Sequence, residues 1–179
     1  MTKDEGRLVT RRRALGLAVG GLGLAAASPG LAFDLPVGPM TNHIVVSKSK
    51  RVVELRRGTE VLRRYRMDLG FTPVGHKVAE GDGRTPEGRY WIDRRNPRSE
   101  YYLSVGISYP NAEDVARAKA MGLSPGGDIM IHGEPVRKWE QASTRGKKDW
   151  TAGCIAVRNA EIEEIWAMTP LGTPITILA

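Results

Sequence analysis

The chain carries, at residues 149–159, the segment DWTAGCIAVRN, which contains its only cysteine, Cys154. A single cysteine excludes an internal disulfide and a cysteine-based zinc site. Most lone cysteines are small buried hydrophobic residues, whereas a free thiol in an exported protein is open to oxidation and is usually kept for its chemistry. Composition therefore leaves a structural and a chemical role for Cys154 both open.

A histidine upstream favours the chemical role. The segment IMIHG, residues 129–133, places His132 at the end of a short apolar run that predicts a strand, about twenty residues before the cysteine. A thiol needs a base or a nearby cation to become a nucleophile at neutral pH. We predict that His132 accepts the proton of Cys154 and later returns it to a leaving amine.

The glycine that precedes the cysteine suits an acyl-transfer site. Because Gly153 has no Cβ, a substrate carbonyl can approach the backbone closely there. The N–H groups of Gly153 and Cys154 are then predicted to face the developing oxyanion, where each donor stabilises a transition state by about 3 kcal/mol.

Most of the remaining apolar segments have the length and composition of strands. Residues 44–46 and 52–55 flank the short turn 48–50 and predict a hairpin. Further strands are predicted over residues 61–69, 89–92, 102–105, 129–131 and 174–178.

Two helices are predicted from their end signals. Asn111 is expected to cap a helix that ends before Gly122, and Asn159 to cap one over residues 160–168 that Pro170 terminates. The buried stripe of the second helix is predicted to be Ile162, Ile165 and Trp166. The balance is a mainly β fold, a sandwich or barrel with two short helices.

Residues 1–32 are predicted to be an export signal. Three arginines at 11–13 precede a Gly/Ala-rich apolar run over residues 14–27, as in a twin-arginine signal. The run is too short for a comfortable transmembrane helix. We expect cleavage after Ala32, with Ala27 as the alternative, and a mature periplasmic domain of residues 33–179 without an integral membrane segment.

The net charge of the chain does not by itself indicate a binding partner. Its formal net charge is +7, and residues 1–32 hold five basic and two acidic side chains, so the remainder carries about +4. A mildly basic surface suits an anionic polymer, but no Lys/Arg face is interleaved with aromatic residues. We therefore do not expect nucleic-acid binding.

Three segments in the same order resemble one family. His132-Gly133, the run Thr151-Ala152-Gly153-Cys154-Ile155 and the Gly-rich loop GDGRTPEGRY at 81–90 resemble the L,D-transpeptidase catalytic domain, also called the YkuD domain. Matching features extend from about His43 to Leu178, nearly the whole of residues 33–179. The resemblance implies a YkuD-like β-sandwich or barrel.

The resemblance also implies a chemistry. Enzymes of this family attack the peptide stem of peptidoglycan with the cysteine, form a thioester and pass the acyl group to an amine. Cys154 is then the nucleophile, His132 the base and Gly153 part of the oxyanion hole. No cofactor or metal is implied.

Four further residues are candidates for substrate binding. Thr151 occupies the Ser/Thr position of the family motif, and Arg158 follows the motif. Lys77 and Arg84, in the polar loop 70–88, are candidates for binding the carboxylates of a diaminopimelate-containing stem. They are equally compatible with solvated loop charges. His76 in the same loop is either a substrate contact or an exposed side chain, and His43 at the start of a strand is given no role.

The motif departs from the commonest family form at two positions. That form reads Ser-His-Gly-Cys-Ile-Arg, whereas Ala152 and Ala156 stand here in place of the histidine and the arginine. His132 must then serve as the base alone. The Thr-Ala-Gly-Cys-Ile-Ala-Val pattern is closer to a subgroup that includes a hydrolase, which detaches a lipoprotein from peptidoglycan.

Three functions remain open from the sequence. The first is L,D-transpeptidation of peptidoglycan stems. The second is an L,D-specific hydrolase or amidase acting on the same material, with a wall-linked lipoprotein as a candidate partner. The third is a non-catalytic wall-binding domain in which Cys154 is structural.

Overall fold

The computed structural model describes residues 39–179, and the predicted export signal lies outside them. In this range the chain forms eight strands and three helices. The strands are β1 His43–Ser47, β2 Val52–Arg57, β3 Glu60–Arg66, β4 Gly88–Ser99, β5 Tyr102–Ile107, β6 Met130–His132, β7 Ile155–Ala156 and β8 Pro174–Leu178. The helices are α1 Ala112–Ala120, α2 Lys138–Thr144 and α3 Asn159–Met168.

The strands form one mixed sheet in the order β3-β2-β1-β8-β4-β5-β6-β7. Strand β4 is long enough to serve both halves, since its residues 88–91 pair with β8 and its later residues pair with β5. Beyond β3, the N–H and C=O of Asp68 exchange 2.9 Å hydrogen bonds with the C=O and N–H of Ala156. The two ends of the sheet therefore meet next to β7, which gives the barrel-like closure that the strand pattern predicts.

The core lies inside this curved sheet and under α3. Alternate residues of β1, β2 and β8 are buried, as expected for strands that cover one core. Helix α3 contributes Ile162, Ile165 and Met168 to the core. Trp166, predicted to be in the buried stripe, is half-buried and packs against the edge of the core, and the guanidinium of Arg95 lies 5.1 Å from the centre of its ring.

The predicted start of α3 is one residue late. Asn159 is already helical, and its Oδ1 accepts the N–H of Glu134 at 2.9 Å instead of capping its own helix. The residue before the helix is Arg158, whose N–H donates to the carboxylate of Glu161 at 2.9 Å. The asparagine is therefore used to hold the chain beyond β6. By contrast, Asn111 caps α1 as predicted, with its side chain accepting the N–H groups of Glu113 and Asp114.

The sequence predicts two helices, but the described residues form three. Helix α2 is the one that was not predicted. It carries no buried residue, its Trp139 is 65% exposed, and its first residue has no side-chain cap. A helix without an apolar stripe or a cap leaves no signal in the sequence. No helix within residues 39–179 has the length and apolarity needed to span a bilayer.

Candidate active site

The pairing of β6 with β7 brings Cys154 and His132 to one face of the sheet. In this parallel pair, Ile131 lies opposite Ile155 and His132 opposite Ala156. Side chains two residues apart point to the same side of a strand, so Cys154 lies diagonally across from His132 on the same side as Ala156. Two residues that are distant in the sequence are thus neighbours at the end of a two-strand ladder.

The imidazole of His132 is held in one tautomer. Its Nδ1 lies 2.7 Å from the carbonyl oxygen of Gly133. Because a carbonyl can only accept, Nδ1 carries the proton and Nε2 keeps its lone pair. The side chain is 3% exposed, and burial lowers the pKa of His132 to about 4, although the bond to Gly133 opposes this. The imidazole is therefore a neutral base at pH 7.

Two aromatic rings surround this imidazole. The ring of Tyr101 lies 4.4 Å from that of His132, and the ring of Trp150 approaches it edge-on at 5.7 Å. These contacts exclude water from the base and fix its orientation. Trp150, four residues before Cys154 in the chain, therefore lies directly against the imidazole of His132.

The thiol of Cys154 is partly exposed and donates a hydrogen bond to a backbone carbonyl. Its Sγ lies 3.4 Å from the carbonyl oxygen of Asp128, which has a left-handed conformation with φ of 55°. Burial raises the pKa of Cys154 above its ordinary value, whereas the N–H of Met130 lowers it. The resting site therefore holds a neutral thiol and a neutral imidazole, and the proton has to move when the thiol attacks.

The hydroxyl of Thr151 fixes the backbone around Cys154 through two hydrogen bonds. Its hydroxyl donates to the carbonyl of Cys154 at 2.7 Å and accepts the N–H of Gly153 at 3.1 Å. The N–H of Gly153 is thus already used, and the expectation that it faces the oxyanion does not fit this geometry. Within residues 39–179 no acceptor is bonded to the N–H of Cys154, which leaves that group as the donor beside the thiol.

The hydroxyl of Thr151 yields a prediction. Thr151→Val removes both hydrogen bonds at a site that is 5% exposed, so we expect it to lower the free energy of unfolding by about 1–3 kcal/mol and acyl transfer by about tenfold or more. Thr151→Ser keeps the hydroxyl and is expected to retain most of the rate. Urea unfolding and steady-state kinetics measure both, and equal rates in the valine and serine variants would contradict this role.

Glycines pack three backbone segments together under the site. Gly153 has φ of +131°, and a Cβ at this position would lie 2.7 Å from the carbonyl oxygen of Arg84. A Cβ on Gly70 would lie 2.0 Å from the carbonyl oxygen of Gly83 and 2.9 Å from the Cα of Gly153. The loop 70–88 therefore packs against the backbone beside Cys154, and this packing requires glycine at position 153.

This packing predicts a large effect of one methyl group. Gly153→Ala combines a conformation open almost only to glycine with a clash against backbone, so we expect a loss of about 2–3 kcal/mol in the free energy of unfolding and of at least about 100-fold in acyl transfer. Gly58→Ala is the matched control, since Gly58 also has positive φ (+61°) but nothing within 4 Å of its Cβ position. If both variants kept full activity, Gly153 would not position the thiol.

The loop 70–88 is held by buried charges. Burial alone raises the pKa of Asp82, but the N–H groups of Val78, Arg84 and Ala79 and the ammonium of Lys77 outweigh it and lower the value to about 2. Lys77 is 3% exposed and bonds Asp82 at 2.9 Å, so its ammonium holds the loop and is not presented to a ligand. The predicted exposed carboxylate-binding position at Lys77 is therefore corrected.

The two arginines predicted to bind substrate, Arg84 and Arg158, differ in how far they are exposed to solvent. The Arg84 side chain is about one-third exposed, and its Nε donates to the carbonyl of Val74 at 3.3 Å. The guanidinium of Arg158 is 79% exposed and bonds Glu161 at the start of α3. His76 links the loop 70–88 to helix α1: its Nε2 lies 3.0 Å from the carboxylate of Asp114, and its Nδ1 accepts the N–H of Glu87. His43 bonds the hydroxyl of Thr176 at 2.9 Å.

Four residues of the site were not found from the sequence. Tyr101 contacts His132, Asp128 accepts a hydrogen bond from Cys154 and Gly70 packs against Gly153 only in the folded chain, and nothing in their local sequence marks them. Lys48 is buried and donates to the carbonyl of Thr85 and to Glu87, which ties the loop to the end of β1. A lysine in a Lys-Ser-Lys turn is ordinarily solvent-exposed, so the sequence does not mark it as a buried residue. Within the described residues, no cluster of three His, Cys, Asp or Glu side chains suits a metal ion.

We compared the chain with protein-family profiles, with curated proteins and with solved structures, and the matches agree with one another. The profile of the L,D-transpeptidase catalytic domain (YkuD) matches residues 41–177. The chain is 31% identical over 130 residues to the putative L,D-transpeptidase YafK of Escherichia coli strain K12. The aligned region covers 69% of this chain and 45% of that protein. The chain thus spans about half the length of the curated relatives it matches.

Two solved structures are similar in fold. The helical cell shape determining protein Pgp2 of Campylobacter jejuni (K307A mutant) is 25% identical, with a TM-score of 0.58 over 78% of this chain and 47% of that one. Bd1075 of Bdellovibrio bacteriovorus is 28% identical, with a TM-score of 0.52 over 78% of this chain and 48% of that one.

Proposed function

Because the chain belongs to the L,D-transpeptidase catalytic domain (YkuD) family, we propose that it is a cysteine acyltransferase that acts on the peptide stems of peptidoglycan. The observation that carries the proposal is the placement of a partly exposed thiol and a buried neutral imidazole on one face of β6 and β7. We further propose that residues 1–32 export the enzyme to the periplasm, where this substrate lies.

The reaction begins with the neutral pair. As Sγ of Cys154 attacks the carbonyl carbon of the bond between the diamino acid and the terminal D-alanine, the thiol proton passes to Nε2 of His132. The bond from Nδ1 to Gly133 orients the ring and stabilises the imidazolium as it forms. The N–H of Cys154 donates to the oxyanion of the tetrahedral intermediate.

The intermediate then collapses to a thioester. The C–N bond breaks, the imidazolium returns its proton to the departing amine of D-alanine, and the acyl group remains on Sγ. In the second half of the reaction an acceptor amine attacks the thioester, gives a proton to Nε2 and forms a new peptide bond. The thiolate takes that proton back, and the site returns to its neutral state.

Hydrolysis of the same thioester is the second candidate function. Ala152, beside the nucleophile, is exposed and has only a methyl side chain, so it gives the thioester little cover from water. A hydrolase using this site would split L,D-configured bonds in the stem, including the bond that links a lipoprotein to the wall. The two functions differ only in whether water or an amine attacks the thioester.

A product assay separates the two functions. The purified protein is incubated with a stem tetrapeptide and an amine acceptor, and the products are read by mass spectrometry. Transfer gives a cross-linked peptide and free D-alanine, whereas strict hydrolysis gives only tripeptide and D-alanine. A third outcome, unchanged tetrapeptide that binds without turnover, would instead support a wall-binding domain.

A further inference from the structure

Arg51 and Asp149 form a two-point ion pair beside the site. Nε of Arg51 donates to one carboxylate oxygen of Asp149 at 2.9 Å, and Nη2 donates to the other at 2.8 Å. The side chains are 31% and 17% exposed, so solvent screens this pair less than a pair on the open surface. Burial alone raises the pKa of Asp149, but the bonds from Arg51 and from the N–H of Leu69 outweigh it and lower the value. The carboxylate is therefore ionised above about pH 4.

The pair joins two segments that are distant in the sequence. Arg51 lies directly before β2, and its carbonyl accepts the N–H of Met67 at 3.1 Å. Asp149 lies directly before Trp150, and its carboxylate also accepts the N–H of Leu69 at 3.0 Å. The ion pair thus anchors residues 149–151 to the turn between β1 and β2.

The anchored segment carries two residues that contact the proposed nucleophile and base. The ring of Trp150 meets that of His132 edge-on at 5.7 Å. The hydroxyl of Thr151 donates to the carbonyl of Cys154 at 2.7 Å. A shift of the segment would therefore disturb a contact of the base and the support of the thiol together.

The backbone of both partners has an unusual conformation. Within residues 39–179, four residues other than glycine have positive φ, and three of them adjoin the site, namely Tyr102, Asp128 and Asp149. Arg51, with φ of 53°, is the fourth and reaches the site through the carboxylate of Asp149, whose φ is 51°. Residues with side chains rarely adopt this conformation, and those that do cluster at functional sites. The backbone at both ends of the ion pair thus favours a functional role for the pair.

We propose that Arg51 and Asp149 are positioning residues for the reaction, and that their ion pair holds Trp150 against the imidazole of His132 and so keeps water from the base. The inference rests on the proposed function only for the identity of the reaction. Neither partner has to touch the substrate. When the pair is broken, Trp150 is free to leave the edge of the imidazole, and water reaches the ring.

Breaking the pair is expected to change the titration of the base. Burial lowers the pKa of His132 to about 4. Water beside the imidazole reduces this penalty, so the pKa rises toward its ordinary value of about 6.5 and the acid limb of kcat/KM moves to higher pH. The titratable groups that face the ring are the Cys154 thiol and the Tyr101 phenol. Burial raises the pKa of both, so neither ionises in this pH range.

The test compares Arg51→Gln and Asp149→Asn with the unchanged protein. Asparagine still accepts the N–H of Leu69 and is tolerated at positive φ. With a stem tetrapeptide we expect kcat to fall about tenfold, KM to change less than about twofold, and the acid limb to move up by about one pH unit or more. Arg51→Lys keeps the charge but loses the two-point contact, and is expected to recover part of kcat.

A matched control separates this pair from ion pairs in general. Arg56, on β2, is 34% exposed and pairs with Glu54, which is 12% exposed. Arg56→Gln therefore removes an ion pair of similar burial, and is expected to leave kcat and the acid limb unchanged. Unfolding midpoints in urea are measured for every variant. If Arg51→Gln does not fold, Asp149→Asn carries the same test.

Double variants test whether the effect passes through Trp150. The variant Arg51→Gln/Asp149→Asn is expected to be no slower than the slower of its two single variants, because one contact is lost in each case. Trp150→Leu is expected to move the acid limb by itself, and adding Arg51→Gln to it should move the limb no further. Additive shifts of the limb in that last double variant would overturn the proposed route.

Two further results would overturn the inference. A rise in KM at unchanged kcat in Arg51→Gln would make Arg51 a direct substrate contact. An acid limb that stays in place in both single variants would show that the pair only stabilises the fold.

The proposed function is tested separately, by following the titration of His132 with NMR, which needs no substrate. The signal is assigned by its absence from His132→Gln. A raised pKa of His132 in the variants of a protein that releases no D-alanine would sink the proposed function and leave the inference standing. Normal turnover by the unchanged protein, with the same His132 titration in all variants, would sink the inference alone.

Discussion

Replacing Cys154 with alanine is expected to lower turnover of a stem tetrapeptide by at least about 10⁴-fold. In the proposed mechanism the thiol forms the covalent bond, and neither the N–H of Cys154 nor the imidazole of His132 can replace it. Release of D-alanine, measured with the variant and the unchanged protein side by side, gives the ratio. Little change in stability is expected, because the side chain is small and partly exposed.

The alanine variant also separates an enzyme from a binding domain. Its affinity for isolated peptidoglycan should stay close to that of the unchanged protein, since the substitution removes only the sulfur atom and leaves the surrounding surface unchanged. Cys154→Ser is the companion variant, because it keeps the size and hydrogen bonding of the thiol but is a far poorer nucleophile at this site. D-alanine release that survives in both variants would show that another residue carries the chemistry.

Replacing His132 with glutamine is expected to lower turnover by about 10³-fold, within the range for loss of a general base. Glutamine is close in size and can still donate to the carbonyl of Gly133, so the contacts with Tyr101 and Trp150 are largely kept. A structural role for His132 would predict a loss of stability and a much smaller loss of rate. The unfolding midpoint, measured with the rate, distinguishes the two.

The pH profile gives an independent reading of the base. Burial lowers the pKa of His132 to about 4, so the imidazole stays neutral and active down to that pH, whereas an ordinary histidine is half protonated near pH 6.5. We expect kcat/KM to be level between about pH 5 and 8 and to fall below about pH 4 to 5. In His132→Gln this acid limb should disappear, and the residual rate should rise with pH as the thiolate forms. An acid limb near pH 6.5 would contradict the buried neutral base.

Much of the fold could be predicted from the sequence, because its strands are short apolar runs with clear turn signals. The hairpin of β1 and β2, the capped helix α1 and the strand β8 lie where the pattern places them. Strand β4 extends well beyond the predicted residues 89–92. Its second half, DRRNPRS, is polar and so gives no strand signal in the sequence; pairing with β5 holds it in the sheet. Helix α2 has no buried face, and without one it produces no periodic signal.

Of the candidate site, the sequence predicts the two central residues, Cys154 and His132, but not their surroundings. Their placement on one face follows from the β6–β7 register, which motif spacing does not contain. The tautomer of His132 and the use of the Gly153 N–H by Thr151 depend on hydrogen bonds that form only in the folded chain. Lys77 was misread because a lysine in a polar loop is usually solvated, whereas here Asp82 holds it in a buried ion pair.

The most direct test of the account is the intact mass of the protein during turnover of a stem tetrapeptide. The account predicts a transient adduct equal to the tetrapeptide less D-alanine, located on Cys154, released by hydroxylamine as a thioester should be, and absent from Cys154→Ala. D-alanine release without such an adduct, or an adduct that persists in Cys154→Ala, would contradict the assignment of Cys154 as the nucleophile.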